Sequence, residues 1–177
     1  TQVSEPIARA LAENGISIPE MALYEKMNES EIIEKGTGKM RIQPMDMVHG
    51  KINNGLKSLP KEIGNLTNLE QLFIANSEIE TLPDELANLV SCTDVELYNC
   101  PKMKQFPMAL AHMPNLALLN LANNRQWSAE EVLKGFKGLA TGPSREKLQI
   151  IYFNENNLEI VPKEIKNMKK LGMIDFS

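Results

Sequence analysis

The sequence predicts an α/β solenoid, a chain of stacked units with a parallel sheet along one side. Nineteen of the 21 leucines lie between Leu56 and Leu171, so the chain has two compositional zones. In the second zone a Leu-Pro type pair recurs at intervals of 23 and then 24 residues, at residues 59–60, 82–83 and 106–107. Self-similarity at a period of roughly 20 to 29 residues is typical of solenoids, whose units bury their apolar faces against their neighbours.

Each unit places apolar residues at positions 1, 4, 6 and 11 and a small polar residue at position 9. Units start at Leu69, Cys92, Leu116, Leu148 and Leu171. Positions 4 and 6 alternate as in a strand, so they are expected to face the core while positions 3, 5 and 7 face away from it. A Pro-x-x-apolar-x-x-apolar pattern follows and is expected to return the chain along the convex side, where proline costs no ladder donor.

Together the two patterns resemble the leucine-rich repeat family in its 23-residue type. The stretch LPKEIGNLTNLEQL, residues 59–72, carries the resemblance most clearly, and the likeness covers about residues 51 to 177. The resemblance implies a horseshoe-shaped solenoid with a parallel sheet on its concave face. It also implies that Asn124 and Asn156, at position 9, satisfy buried backbone groups. Ser77 and Cys100 depart from asparagine there, so this ladder is expected to be weaker in the first half of the array.

One unit is longer than its neighbours, with 32 residues between Leu116 and Leu148. Within the surplus, Ser128-Ala-Glu-Glu131 has the spacing of a capping box, and an apolar helical face follows it. The sequence therefore predicts a helix on the convex side. The segment 141–144, Thr-Gly-Pro-Ser, is expected to form a turn after it.

Residues 1–45 do not follow the repeat. A first helix is predicted from about Ser4 to Asn14, and a second from about Pro19 to Lys35. Two interpretations stay open: a helical N-terminal cap, or the end of an upstream domain. The repeats occupy residues 46–177 and stop in an open strand, so we expect a longer natural protein, truncated here at its C-terminus, or an end-to-end homodimer through that edge.

No catalytic, metal-binding or cofactor-binding pattern is present in the sequence, so an enzyme is not expected and neither is a cofactor. The two histidines, His49 and His112, have no partners at ligand or catalytic spacing. Cys92 and Cys100 lie too far apart along one strand for a disulfide and are expected to be buried free thiols. A net charge of −4 without a basic stripe argues against nucleic acid, and no apolar run is long enough to span a membrane.

The exposed strand positions are the best candidates for function. A partner-binding surface is predicted on the concave face from residues at positions 3, 5 and 7 of the units: Phe73, Asp94, Glu96, Tyr98, Leu118, Asn120, Ile150, Tyr152, Asn154 and Asp175. The tyrosines are candidate anchors, and the carboxylates, with Glu155, favour a partner with basic groups.

By resemblance, the expected function is recognition of a protein, a peptide or a glycan without catalysis. The alternative is that the chain is the targeting half of a larger secreted effector enzyme. The repeats lack flanking cysteine clusters, which looks more like a bacterial cell-surface or secreted repeat protein than a cytoplasmic one, although the location stays open.

Overall fold

The fold is built on one sheet whose strands follow one another in chain order. The computed structural model describes residues 33–34, 39–42, 58–59, 61–158 and 160–177. The strands are β1 (Ile33–Glu34), β2 (Lys39–Ile42), β3 (Gln71–Ala75), β4 (Asp94–Tyr98), β5 (Leu118–Asn120), β6 (Ile150–Tyr152) and β7 (Met173–Asp175). β1 and β2 are antiparallel, and every following pair is parallel. The predicted solenoid with a parallel sheet is confirmed.

Short helices return the chain along the other side of the sheet. One α-helix, α1 (Ala129–Thr141), lies in the long unit. In the described part of the chain the other returns are 3₁₀ helices, namely Lys61–Asn65, Asp84–Asn88, Met108–His112, Pro143–Glu146 and Lys163–Asn167. Three of the returns follow the Pro-x-x-apolar pattern directly, with Pro83, Pro107 and Pro162 as N-cap residues.

The core forms because the strands stack in phase. Leu72 pairs with Val95, Val95 with Leu119, and Leu119 with Ile151, and all four side chains are buried. Their neighbours along each strand remain half-buried or exposed, as expected for the period-2 alternation of a strand. The rows of buried leucine, isoleucine and valine therefore run continuously from one unit to the next.

Asparagine amides close the turns that follow β5 and β6, where Asn124 is buried and Asn156 half-buried. Asn124 Oδ1 accepts from the backbone N–H of Cys100 at 2.9 Å, and its Nδ2 donates to the carbonyls of Leu97 at 2.7 Å and Leu121 at 2.9 Å. Asn156 repeats the pattern, accepting from the N–H of Asn124 at 2.8 Å. At the equivalent place the Cys100 thiol lies 3.9 Å from the Ile74 carbonyl, so the departure from asparagine does leave a weaker contact.

The predicted helix of the long unit is confirmed, but its capping box is only half formed. Ser128 Oγ accepts from the N–H of Glu131 at 3.2 Å. The Glu131 carboxylate does not return to Ser128; it accepts from the N–H of Phe106 in the preceding unit at 2.9 Å. The same carboxylate thus joins α1 to its neighbour, because a buried N–H without a partner would be costly.

The predicted turn at residues 141–144 is wrong in its detail. α1 continues through Thr141, and a 3₁₀ helix begins at Pro143. Ser144 is fully buried, and its hydroxyl lies within hydrogen-bonding distance of the carbonyls of Leu110 and, at 2.9 Å, Met113. The serine is therefore a packing residue that satisfies the end of the preceding 3₁₀ helix.

An aromatic cluster fills the space beneath the long unit. Trp127 is fully buried, with its ring centroid 5.2 Å from that of Phe106 and 6.5 Å from that of Phe153. Phe136 of α1 meets Phe153 edge-on at 5.0 Å. Aromatic pairs in these geometries add to the energy gained from burial.

The predicted second helix is wrong at its C-terminal end. Ile33 and Glu34 form β1, and β2 then runs parallel to β3, with Lys39 opposite Gln71. A β-branched residue before the glycine-rich segment 36–38 favours a strand over a helix, and this signal outweighed the weak helical periodicity. The sheet therefore starts before residue 46. The first predicted helix, most of the second and His49 lie outside the described residues, and the division at residue 45 stays a prediction.

We expect Asn124→Ala to lower the free energy of unfolding by about 2 to 4 kcal/mol, since it leaves the Cys100 N–H and buried carbonyls without partners. Urea unfolding followed by fluorescence of the single tryptophan measures this. Asn167→Ala is the control, because Asn167 is exposed and should change stability by less than about 0.5 kcal/mol. Equal effects of the two substitutions would show that the asparagine hydrogen bonds between units do not stabilise the fold.

Two glycines of α1 should respond in opposite ways to alanine. A Cβ at Gly135 would overlap the ring of the buried Phe106, whereas at Gly138 it would meet only the mobile end of Met108. We expect Gly135→Ala to destabilise by about 1 to 3 kcal/mol. Gly138→Ala should be neutral or stabilising by up to about 1 kcal/mol, because alanine is the better helix former. Thermal unfolding compares the pair, and the reverse order would show that α1 packs differently.

Candidate functional site

The side chains that point away from the core form three parallel rows, which we call the concave face. The first row holds Gln71, Asp94, Leu118, Ile150 and Met173; the middle row holds Phe73, Glu96, Asn120, Tyr152 and Asp175; the third holds Ala75, Tyr98, Ala122, Asn154 and Ser177. The backbone register pairs the first two rows residue by residue from β3 to β7. The register also pairs Lys39 and Arg41 of β2 with Gln71 and Phe73 of β3.

The first row changes from polar to aliphatic along the array. After Gln71 and Asp94 it continues with three consecutive aliphatic side chains, Leu118, Ile150 and Met173. Leu118 and Ile150 are half-buried, and Met173 is 40% exposed. The row therefore offers a continuous apolar strip across three strands.

The middle row is ordered by hydrogen bonds between strands. Asn120 Nδ2 donates to Glu96 Oε1 at 3.0 Å, and Asn120 Oδ1 accepts from the N–H of Ala122 at 3.0 Å. At the end of the row, the backbone N–H of Ser177, with the side chains of Asn154 and Ser177, lowers the pKa of Asp175. Asp175 therefore stays ionised down to a lower pH than an ordinary aspartate does.

The third row leaves one aromatic ring prominent. Tyr98 is 40% exposed, and it lies between two alanines: Ala75 pairs with it in the register, and the N–H of Asn99 bonds to the carbonyl of Ala122 on the other side. With small side chains on both sides, part of the phenol ring stays open to a partner. Further along, Asn154 Nδ2 donates to Ser177 Oγ at 2.6 Å.

The concave face of β3–β7 carries acidic side chains and no lysine or arginine in its three rows. The Asp94 carboxylate has no hydrogen-bond or ion-pair partner among the described residues. Arg125, which lies outside the three rows, pairs with Glu155 at 2.7 Å. A negative, partly apolar surface of this kind is complementary to a partner with basic and apolar groups.

All ten residues that the sequence singled out as partner-binding lie on the concave face, and none lies in the core. Five of them form the middle row, three lie in the first row and two lie in the third. Their role in binding stays a prediction.

Sequence reasoning missed the residues that follow each strand. Asn76, Asn99 and Asn123 have positive φ angles of 50°, 52° and 58°, a conformation that asparagine tolerates better than most residues. Asn99 Nδ2 also donates to Asn76 Oδ1 at 2.8 Å, which extends the array of side-chain bonds along this edge. The repetition of asparagine at position 8 of three successive units was the available signal.

The cysteines do not form a reactive site. Both are free and buried, and burial raises the pKa of the Cys92 thiol and of the Cys100 thiol to about 12. The prediction of buried free thiols is confirmed. His112 is exposed at the end of its 3₁₀ helix.

The convex side carries a cleft of about 580 Å³. Its floor includes Leu82 and Pro107, and its rim includes Lys102, Lys104 and Asp84. No group of three or more histidine, cysteine, aspartate or glutamate side chains suited to a metal ion occurs in the part of the chain that the structure describes. Over the same residues, no helix has the length and apolar character required to cross a bilayer.

Solved structures similar to this chain are leucine-rich repeat proteins. One from Bacteroides eggerthii superposes with a TM-score of 0.63 at 29% identity, over 96% of this chain and 29% of that one. Another, from Bacteroides thetaiotaomicron, gives a TM-score of 0.62 at 30% identity, over 98% of this chain and 22% of that one.

Among curated proteins the similarity is lower. A Ras guanine nucleotide exchange factor from Dictyostelium discoideum is 24% identical over 170 residues, and a probable disease resistance protein from Arabidopsis thaliana is 26% identical over 120 residues. The chain spans only 9% and 7% of the length of these two relatives. No family model matches the chain.

We expect both thiols of the native protein to react with a disulfide reagent at pH 8 at least about a hundredfold more slowly than in 8 M urea. The reason is that burial suppresses the thiolate and blocks access to it. Absorbance of the released aromatic thiol gives both rates. The variant Cys92→Ser should keep one slow thiol, and fast native reaction of either cysteine would contradict the burial.

Proposed function

Because this chain is a leucine-rich repeat protein, we propose that it is a non-catalytic recognition module that binds a protein or peptide partner on its concave face. Leucine-rich repeat folds support protein interaction as a general class of function. The choice of face and the absence of catalysis are the parts that belong to the proposal.

The observation that carries the proposal is the set of aromatic and aliphatic side chains on the side of the sheet away from the core. Leu118, Ile150 and Met173 lie side by side there, with Tyr152 in the adjacent row and Tyr98 exposed in the third. Contiguous apolar groups outside a core are typical of partner sites, and tyrosine is enriched among the residues that dominate binding energy.

The size of the surface limits the partner. Five strands about 4.8 Å apart, each presenting about five residues at 3.4 Å, give a face of about 24 by 17 Å, or on the order of 400 Å². A stable protein interface uses roughly 800 Å² on each side. The described part of the concave face therefore suits an extended peptide segment or the central part of a larger contact.

A second candidate is that the array serves as the targeting half of a larger protein. The specific observation is that the chain spans 9% of a guanine nucleotide exchange factor and less than a third of each of the two Bacteroides chains. In this case too the concave face would bind the target, while chemistry would reside elsewhere. The two candidates differ in what is joined to the array and agree on what the array does.

The test is capture of partners from bacterial and animal cell extracts, read by mass spectrometry. We expect the double variant Tyr98→Glu, Tyr152→Glu to lose a partner that the wild type retains, because it places charge on both candidate anchors. Tyr152→Ala alone should weaken the binding of that partner by about 1 kcal/mol or more, while the melting temperature of the variant stays nearly that of the wild type.

The control is Val90→Glu, Ile160→Glu, which places the same two charges at exposed apolar positions outside the three rows. All variants are first matched for melting temperature. A partner kept by the concave-face variant, or lost equally from the control, argues against concave-face recognition. Capture of a second copy of the chain would instead support the end-to-end dimer.

A further inference from the structure

We propose that the outward side chains of β4 bind the guanidinium group of an arginine in the partner. The side chains are Asp94, Glu96 and Tyr98, and the partner segment lies extended across the strands. Its aliphatic side chains rest on the strip formed by Leu118, Ile150 and Met173. The inference rests on the proposed function and adds to it the chemistry and the order of the side chains that the concave face selects.

The three β4 residues share one face because they alternate with the buried residues of the strand. Val95 and Leu97 point into the core, so Asp94, Glu96 and Tyr98 all point outward. Outward residues of a strand lie about 6.8 Å apart. Glu96 is the central residue of the three, so a guanidinium placed over it lies about 6.8 Å along the strand from Asp94 on one side and from Tyr98 on the other.

The carboxylates that remain available to a cation are those of β4. Asp94 has no partner for its carboxylate among the described residues, and Glu96 uses one oxygen for Asn120 at 3.0 Å. Asp175, at the other end of the face, already receives hydrogen bonds from Ser177 and Asn154. Of the acidic groups in the three rows, those of β4 are consequently the ones left to bind a positive charge.

The third residue selects the kind of cation. Tyr98 is 40% exposed and has alanines beside it on both neighbouring strands, so a planar group over Glu96 can lie against the exposed part of its ring. A guanidinium binds a carboxylate with two parallel hydrogen bonds and stacks on an aromatic ring, whereas an ammonium is a strongly hydrated point charge. The combination therefore favours arginine over lysine.

No cation of the chain competes for these groups within the rows of β3–β7. No lysine or arginine stands in these rows, and no ion pair of the described residues involves Asp94 or Glu96. The site is thus open to a cation supplied by a partner.

The spacing of the strands sets the order of the partner's side chains. β6 and β7 lie about 9.6 and 14.4 Å from β4, with β5 at about 4.8 Å. In an extended segment that crosses the strands, the second and fourth residues after an arginine point the same way, at about 6.8 and 13.6 Å. The second residue after the arginine then lies between Leu118 and Ile150, and the fourth lies over Met173. The predicted partner motif is Arg-x-Φ-x-Φ, where Φ is aliphatic and x is any residue.

A random library of 12-residue peptides displayed on phage tests the proposal, with the whole chain immobilised. We expect the selected peptides to share Arg-x-Φ-x-Φ. Synthetic versions are then titrated by fluorescence anisotropy. The Kd should rise at least tenfold with Asp94→Asn, Glu96→Gln, which removes both charges and keeps the shape. It should also rise at least fivefold when the peptide arginine is replaced by lysine.

The matched control is Asp84→Asn, Glu80→Gln, which removes the same two charges at exposed positions outside the three rows and should change Kd by less than about twofold. If selected peptides lack arginine but lose binding in Tyr152→Glu, the arginine site is wrong and concave-face recognition stands. If arginine peptides bind equally to the Asp94→Asn, Glu96→Gln variant, the site is wrong as well. Failure to select any peptide overturns the inference, and peptides unaffected by every concave-face variant overturn the proposed function too.

Discussion

The phase of the parallel strands is the constraint on which the rest of this structure depends. Leu72, Val95, Leu119 and Ile151 occupy one buried row, and a slip of a single residue in any strand would exchange its buried and outward sets. Such a slip in β4 would bury Glu96 and expose Leu97. The amide of Asn124 holds the phase because it bonds to the backbone of its own unit and of the preceding unit at once.

Irregularity is confined to the convex side for the same reason. The long unit accommodates its surplus as α1 and the 3₁₀ helix that follows it, yet β5 and β6 remain paired in register. The insertion is tied down by its own contacts, the Glu131 carboxylate on the Phe106 N–H and the Ser144 hydroxyl at the carbonyl of Met113. Length can vary on that side without disturbing the order of side chains that a partner meets.

Period explains what the sequence could predict. The strands from Gln71 onward and the membership of the three rows follow from the alternation of leucine-type residues, which is independent of tertiary detail. Other features depend on neighbours distant in sequence. The exposure of Tyr98 requires Ala75 and Ala122 on adjacent strands, and the Glu131 bond requires a free N–H at Phe106. β1 and β2 were missed because short strands carry little periodicity, and only their pairing identifies them.

The buried indole of Trp127 determines what tryptophan fluorescence can detect when this protein unfolds. Its Nε1–H has no hydrogen-bond partner among the residues that the structure describes, and the ring packs against Phe106 and Phe153. In a solenoid each unit contacts only its neighbours, so loss of structure can begin at an end and travel inward. The fluorescence of this single tryptophan is therefore a local probe, which does not change when either end unfolds. Far-ultraviolet circular dichroism, in contrast, reports on every strand. A gap between the two transitions would measure how far cooperativity extends along the chain.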